Sequence, residues 1–235
     1  MLGKLKRDLQ READKKQAEL LQRFFKTGKG GYGEGDIFLG IKVPVQRAIA
    51  KKYSGLEFSE LQSLLKSKIH EERMIALIIL VNNFKKAKKD KLKKRQIFEF
   101  YLKNTNNINN WDLVDISSAN IVGEFLQKED TGVLKQLAKS ENIWERRIAI
   151  ISTGAFIKRR NFGETLAIAN MLIDDTHDLI HKAVGWMLRE VGKRNTDVLE
   201  LFLSQRYKQM PRTMLRYSIE KFPEDKRKKY LNGEI

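Results

Sequence analysis

The residues best suited to chemistry in this 235-residue chain are one aspartate, two tryptophans and one arginine. Trp111 and Asp115 are four positions apart, so they share one face if they lie on a helix. Trp186 follows 75 positions after Trp111, and Arg147 lies between them in the sequence. A carboxylate can stabilise positive charge or activate water, and tryptophan faces attract cations. Two interpretations stay open: a functional site, or core tryptophans with Asp115 paired to Arg147.

Two histidines have the spacing of a metal-binding pair. His177 and His181 stand at i and i+4, as in the zinc pair of metalloproteases. Asp178 replaces the glutamate that serves there as base, and His70 is the only other histidine. We therefore expect no metal site, only surface histidines at the start of a helix.

Two segments stand out by composition. Gly28–Gly35 contains five glycines, but it lacks the Gly-Lys-Ser/Thr ending and the preceding strand of a phosphate-binding loop. It predicts a flexible connection. Lys85–Arg95 contains eight basic residues opposed only by Asp90. This segment is either a phosphate-contacting surface or an ordinary solvated helix face.

The composition limits the class of protein. Lys and Arg number 46 against 30 acidic residues, a net charge of +16, which favours a polyanionic partner such as nucleic acid or an acidic membrane surface. The chain has no cysteine, which excludes disulfides, thiolate metal sites and a cysteine nucleophile. No stretch approaches the ~20 apolar residues of a membrane span, and the amino terminus does not resemble a signal peptide. We expect a cytoplasmic protein.

The elements that must position these residues are helices. Apolar residues recur at three- and four-residue spacing, and alternation with period two is rare. The segment from Glu72 to Lys86 resembles the segment from Glu145 to Arg159, and a third copy begins at His181. These offsets imply a unit of about 35–37 residues, which is typical of stacked helix pairs. We predict an all-α fold: an α-solenoid of HEAT-like helical-pair repeats over residues 1–235, a single domain with a concave basic groove.

Four motifs together resemble a known family. They are Phe38-Leu39-Gly40-Ile41 with Pro44 and Arg47, Trp111-Asp112-Leu113-Val114-Asp115, Asn142-Ile143-Trp144-Glu145-Arg146-Arg147, and Lys182-Ala183-Val184-Gly185-Trp186-Met187-Leu188-Arg189-Glu190. In this order and at these intervals they resemble the AlkD-like DNA glycosylases, an alkylation-repair family of HEAT-like repeats. The resemblance covers about residues 20–220, and its amino-terminal part, with the glycine-rich insertion, is the weaker match.

The resemblance implies an enzyme that excises purines alkylated at N3 or N7 from duplex DNA and leaves an abasic site. We expect a monofunctional enzyme, because no lysine is singled out as a Schiff-base nucleophile. Asp115 matches the catalytic carboxylate, Trp111 and Trp186 match the aromatic pair that flanks it, and Arg147 matches a contact to the DNA backbone. Alkylation makes the base a good leaving group, so the carboxylate has only to stabilise the oxocarbenium-like sugar and position water. No metal or other cofactor is implied.

The remaining expectations concern DNA binding. Further DNA contacts, taken from helix faces and motif positions, are predicted at Lys42, Arg47, Lys182, Arg189 and Arg212. We expect a monomer that binds double-stranded DNA in an open groove without a deep pocket, so that the lesion is recognised at its sugar and phosphates and bulky adducts are tolerated. The alternative is a non-catalytic HEAT-repeat module that binds damaged or structured DNA.

Overall fold

A computed structural model describes residues 1–235, and its regular secondary structure is helical. The one exception is an isolated parallel bridge between Ile37 and Ile69. The all-α prediction is therefore confirmed. None of the helices is long and apolar enough to cross a membrane.

The first of two compact units extends from Met1 to Ser117. Its helices are α1 (Leu2–Arg11), α2 (Lys15–Phe24), α3 (Val43–Lys52), α4 (Phe58–Leu65), α5 (His70–Lys86), α6 (Lys91–Lys103) and α7 (Trp111–Ser118), with a 3-10 turn at Thr105–Asn107.

The second unit extends from Ser118 to Ile235. A π-helical turn at Ala119–Gly123 is followed by α8 (Glu124–Leu126), α9 (Gly132–Ala138), α10 (Ile143–Ser152), α11 (Gly154–Ile157), α12 (Gly163–Met171), α13 (Asp178–Gly192), α14 (Thr196–Arg206), α15 (Arg212–Ser218) and α16 (Glu224–Asn232). The single domain over residues 1–235 stays a prediction.

The internal repeat predicted from the sequence is visible in how three helices begin. Helices α5, α10 and α13 have their N-caps 73 and then 35 positions apart, which are the offsets of the sequence repeat. In each case the backbone N–H of the N-cap residue donates to a side-chain oxygen two positions earlier. The pairs are Ile69 with Ser67 Oγ at 3.0 Å, Asn142 with Ser140 Oγ at 3.1 Å, and His177 with Asp175 Oδ1 at 2.8 Å.

Two arginines in the first turns of α5 and α10 also make matching contacts. Arg73 of α5 and Arg146 of α10 each donate from Nη1 to the carbonyl oxygen six positions earlier, at 2.7 and 2.9 Å. Each also forms a 2.6 Å ion pair, Arg73 with Asp36 and Arg146 with Asp175. The repeat segments that contain α5 and α10 are therefore alike in their contacts as well as in their sequences.

Helix α5 is the centre of unit 1. Every residue from His70 to Val81 is buried, and the helix packs against α3, α4 and α6. Burying each large aliphatic side chain contributes roughly 1.5–3 kcal/mol. The apolar middle of α5 accounts for its place in the core, but its first turn buries charged side chains, and these lie beside the candidate site.

Candidate functional site

Trp111, the first residue of α7, lies in an aromatic cluster. Its ring stacks on Phe25 with centroids 5.1 Å apart and an interplanar angle of 22°, while Phe24 meets it edge-on at 5.9 Å. Phe25 in turn stacks on Phe38 at 5.0 Å. The half-buried indole is thus held by rings from α2 and from the segment before α3.

The glycine-rich segment contributes to this cluster. The Trp111 Nε1–H donates to the Tyr32 hydroxyl at 3.2 Å, and that hydroxyl donates to the Phe24 carbonyl at 3.2 Å. The segment itself is a series of turns, closed by bonds such as Gly35 N–H to the Thr27 carbonyl at 3.3 Å. Tyr32 thus connects this segment to Trp111, a contact that the sequence does not predict. The flexibility of the segment stays a prediction.

A buried ionic cluster lies against the same rings. His70 is 2% exposed, and its Nδ1 and Nε2 lie 3.3 Å from Asp36 Oδ2 and 2.9 Å from Asp112 Oδ2. Phe38 stacks on the imidazole at 4.4 Å. Burial lowers the pKa of His70, but the charge and hydrogen bond of Asp112, helped by Asp36, outweigh it and raise the pKa above its usual value.

Asp36 is ionised because His70 and Arg73 stabilise its negative charge. Burial raises its pKa, but the hydrogen bond with His70 and the charge of Arg73 outweigh burial and hold the pKa below its usual value. The cluster therefore combines ionised carboxylate and guanidinium groups with a histidine that favours its protonated form.

The motif Phe38-Leu39-Gly40-Ile41 is a loop that surrounds a buried carboxylate. Glu71 accepts hydrogen bonds from the backbone amides of Leu39 at 2.9 Å, Gly40 at 2.8 Å and Ile41 at 3.2 Å. Gly40 has φ +84°, and a Cβ there would lie 2.1 Å from the Asp14 carbonyl oxygen, so the loop requires glycine at this position. The motif positions Phe38 beside His70.

These elements enclose a cavity of about 410 Å³ next to Trp111. Helices α2, α3 and α5, the loop between α2 and α3, and the first turn of α7 form its walls. The lining residues are Gln17, Leu21, Phe24, Phe25, Phe38, Ile41, Lys42, Val43, Gln46, His70, Glu71, Met74, Trp111 and Asp112. The start of α7 therefore lies beside a pocket that α2 and the loop after it help to form. Recognition of a lesion at its sugar and phosphates stays a prediction.

Asp115 lies one helical turn beyond Trp111 on α7 and is partly exposed. The helix begins after Asn110, whose Oδ1 accepts the backbone N–H of Trp111 at 2.8 Å. Burial raises the pKa of Tyr101, and the charge of Asp115 raises it further, while Ser117 opposes this through a 2.9 Å hydrogen bond. The charge of Asp115 therefore acts on the buried Tyr101 hydroxyl.

In unit 2, Arg147 and Trp186 lie on α10 and α13. Arg147 is only 5% exposed, and its Nη1 donates to the Leu179 carbonyl at 2.6 Å. That burial favours a role in orienting neighbouring groups over a direct contact with a phosphate. Trp186 is partly exposed and follows Gly185, where α15 packs closely on α13.

The basic residues predicted to contact DNA fall into two groups. Lys182 and Arg189 already hold carboxylates: Lys182 Nζ lies 2.7 Å from Asp178, and Arg189 pairs with Glu220. Lys42, the N-cap of α3, and Arg47 within α3 are exposed. Arg212 at the start of α15 is also exposed, but its Nη1 donates to the Leu231 carbonyl. Lys42 and Arg47 are therefore the better placed to meet phosphates.

The segment Lys85–Arg95 spans the end of α5 and the start of α6. Lys93 lies over the Phe58 ring and Lys94 over the Phe84 ring, each 4.9 Å from the centroid. These contacts agree with a solvated helix face whose lysine stems cover aromatic rings.

The two histidines spaced as a metal pair both form hydrogen bonds at the start of α13. His177 is the N-cap of α13, and its Nδ1 accepts the Leu179 backbone N–H at 3.1 Å. His181 contacts the Asp175 carbonyl through Nε2. Burial lowers the pKa of His177. No group of three or more His, Asp or Glu side chains in residues 1–235 is arranged to bind a metal ion.

The sequence analysis assigns no role to several residues in or beside the cavity. Tyr32, which accepts the Trp111 indole N–H, lies in the glycine-rich segment, and Gln46 and His70 belong to no quoted motif. Asp112 stands in the motif that begins at Trp111, but only Trp111 and Asp115 are given roles there. His70 binds carboxylates 34 and 42 positions away, and local periodicity does not indicate such pairs. The one available signal was the run Phe24-Phe25 followed by Phe38, a concentration of aromatic residues before α3.

The fold and these residues define a helical-repeat protein with an aromatic and acidic site, and the comparisons place it in a family. A family model described as DNA alkylation repair enzyme matches residues 5–222, so the chain belongs to that family. No curated protein matches it.

Two solved structures show the same fold. A predicted DNA alkylation repair enzyme from Enterococcus faecalis has a TM-score of 0.68 at 16% identity, covering 91% of this chain and 98% of its own. AlkD2 from Streptococcus mutans has a TM-score of 0.56 at 18% identity, covering 89% and 99%.

Proposed function

We propose that this protein is a monofunctional DNA glycosylase that hydrolyses the N-glycosidic bond of N3- or N7-alkylated purines in duplex DNA. The observation that carries the proposal is the partly exposed Asp115 one turn from Trp111, on a helix whose first residue is held by Phe25 and Tyr32. Membership of the DNA alkylation repair family supports the substrate class.

For this reaction, the groups that the protein must supply are a carboxylate and aromatic faces. Alkylation at N3 or N7 puts a positive charge on the base, so the base departs without protonation by a strong general acid. The sugar then becomes oxocarbenium-like. Asp115 stabilises that charge and orients the attacking water, and tryptophan faces add cation–π attraction of about 0.5–2 kcal/mol each.

The remaining site residues have proposed roles in binding. Trp186 is proposed as the second aromatic residue, and Arg147 as the residue that orients groups near the DNA backbone. Lys42, Arg47, Lys182, Arg189 and Arg212 are proposed as phosphate contacts, and the net charge of +16 supports a nucleic-acid partner. We propose that one copy of the chain acts alone and without a cofactor.

The test is release of alkylated bases from N-methylated duplex DNA, measured by chromatography of the freed bases. We expect Asp115→Asn to lower the rate about 10²–10³-fold or more while duplex binding is kept, because only the transition-state charge loses its partner. Asp174→Asn, which removes one exposed carboxylate in unit 2, is the matched control and should not change the rate.

If the parent protein binds duplex DNA but frees no base, the proposal fails and the non-catalytic binding module takes its place. Equal release by the parent and Asp115→Asn would also contradict the assignment of the carboxylate.

A further inference from the structure

The highest density of positive charge in the chain lies at the corner where α5 ends and α6 begins. We call this surface the basic corner, and its residues are Lys85, Lys86, Lys88, Lys89, Lys91, Lys93, Lys94 and Arg95. All of them except Lys94 are exposed. Because α5 has 17 residues and a helix rises about 1.5 Å per residue, the corner lies roughly 24 Å from His70 at the other end of α5. The basic corner is therefore a surface apart from the cavity beside Trp111.

The internal repeat provides a comparison within the same protein. At the helix ends that correspond to Lys85 and Lys86, the other two copies have four basic residues, and three of these pair with a carboxylate. Arg159 Nη2 lies 2.7 Å from Glu124 in the second copy. In the third copy, Glu190 lies 2.6 Å from Lys193 and 3.1 Å from Arg194. In the basic corner, five lysines form no ion pair: Lys85, Lys86, Lys88, Lys89 and Lys91. The first copy therefore presents unpaired positive charge where the others have ion pairs.

Helix stability does not account for the lysines of the basic corner. The first turn of α6 contains lysines and no acidic residue, although the N-terminal end of a helix carries a partial positive charge that repels them. The only acidic residue of the segment, Asp90, caps α6 by accepting the Lys93 backbone N–H at 2.9 Å. Lys88 has φ +39°, in the left-handed region that favours glycine or asparagine. Lysine therefore occupies positions where local structure disfavours it, which is typical of functional surfaces.

The charges of the basic corner point in several directions. Lys93 Nζ lies 4.9 Å from the centroid of the Phe58 ring, which belongs to α4. Lys94 Nζ lies 4.9 Å from the centroid of the Phe84 ring, which belongs to α5. A straight duplex or a flat membrane meets one side of such a corner, whereas an unstructured peptide can follow it round. Leu92, which is 68% exposed among the lysines, adds an apolar surface that phosphates do not need. These features favour an acidic peptide that also has apolar side chains.

We infer that the basic corner binds an acidic, unstructured segment of another protein. The carboxylates of that segment pair with the lysines that lack ion pairs, and one of its apolar side chains packs on Leu92. Lysine suits this partner because its flexible stem lets the ammonium group meet carboxylates along an irregular chain. The inference goes beyond the proposed function, because it assigns the molecule a protein partner in addition to DNA.

The first experiment measures binding of a fluorescein-labelled peptide of three Asp-Glu-Leu-Asp repeats by fluorescence anisotropy. Salt at about 0.15 M screens charges more than about 8 Å apart, so distant lysines contribute little. The parent protein is compared with a corner variant in which four lysines are replaced: Lys85→Gln, Lys86→Gln, Lys88→Gln and Lys89→Gln. We expect the corner variant to bind the peptide at least tenfold more weakly, because four surface ion pairs are lost.

The control variant removes the same charge from exposed positions on α2 and α3. Its substitutions are Lys15→Gln, Lys16→Gln, Lys51→Gln and Lys52→Gln. It should bind the peptide almost as tightly as the parent does. Absence of binding by the parent, or an equal loss of affinity in both variants, would overturn the inference.

The same variants distinguish a protein segment from other polyanions. A short DNA duplex and vesicles that contain phosphatidylglycerol are titrated with the parent, the corner variant and the control variant. We expect the corner variant to bind duplex and vesicles as the control variant does, and to differ from it only in binding the peptide. A loss of affinity for duplex or vesicles as large as that for the peptide would show that the corner attracts any polyanion, and would overturn the inference.

The apolar contact is tested by Leu92→Ser, which leaves every charge of the basic corner in place. This variant should bind the leucine-containing peptide several-fold more weakly than the parent does. Both proteins should bind equally well to a second peptide in which serine replaces each leucine, because that peptide has no apolar side chain to lose. Equal affinity of the parent and Leu92→Ser for the leucine-containing peptide would overturn the assignment of a partner with apolar side chains.

Discussion

His70 lies between two carboxylates inside unit 1, with Nδ1 facing Asp36 and Nε2 facing Asp112. The guanidinium of Arg73 faces Asp36 from the same helix, and the Phe38 ring covers the imidazole. The first turn of α5 therefore links Asp36, which follows the glycine-rich segment, to Asp112 at the start of α7. The protonation of one histidine contributes to the strength of that connection.

This arrangement predicts a specific dependence of stability on pH. The pKa of His70 in the folded protein is raised above the value near 6.5 that it has when unfolded. Its stabilising contribution is therefore fully present below about pH 6.5 and is lost as the pH rises through the folded pKa. The free energy of unfolding, measured in denaturant from pH 6 to 9, should fall over this window.

The control for this prediction is His70→Gln, a neutral side chain in the same place. It should be less stable overall, and the fall in its unfolding free energy above pH 6.5 should be smaller. An identical pH profile for the parent and the variant would show that another group is responsible.

Among the structural elements, the loop Phe38–Ile41 depends most on a single backbone conformation. Gly40 combines φ +84° with a close approach to the Asp14 carbonyl, and its amide is one of three that bind Glu71. A side chain there strains the backbone and pushes α2 away from the loop. The loop is also the element that carries Phe38 to His70 and closes the cavity.

We expect Gly40→Ala to lower the free energy of unfolding by about 1–3 kcal/mol, because alanine in the left-handed region is strained and its Cβ has no room. Gly3→Ala, within α1, should instead be neutral or stabilising by up to about 1 kcal/mol, since its Cβ meets only the end of Arg7 at 3.9 Å. Denaturant titration distinguishes them, and equal effects would contradict this account of the loop.

The sequence predicted the helices well and the cavity poorly, for one physical reason. Helices and their repeat depend on neighbours a few positions away, so the starts of α5, α10 and α13 were readable from spacing. The cavity depends on contacts between Tyr32 and Trp111, 79 positions apart, and between Asp36 and His70. No periodicity indicates such pairs, so the sequence does not predict that the glycine-rich segment contacts Trp111.

At the scale of the whole molecule, the excess of positive charge gives the protein a salt-dependent affinity for DNA. Each basic side chain that neutralises a phosphate releases counterions, and the logarithm of the binding constant falls by about 0.9 per contact for each tenfold rise in salt. A net charge of +16 does not say which side chains make those contacts. The slope of the logarithm of the binding constant against the logarithm of salt concentration measures the number of contacts. Comparing this slope between the parent and a variant shows whether the replaced side chains make such contacts.

Lys42, the N-cap of α3, and Arg47 within that helix are exposed, and Lys42 also lines the cavity. We expect the double variant Lys42→Gln, Arg47→Gln to reduce the magnitude of the salt slope by about two for duplex DNA, because two phosphate contacts are lost. Lys51→Gln, Lys52→Gln removes the same charge from exposed positions at the far end of the same helix and should leave the slope almost unchanged. Fluorescence anisotropy over a range of salt concentrations measures both slopes. If the two double variants change it equally, net charge alone explains the binding, and Lys42 and Arg47 have no special place in the interface.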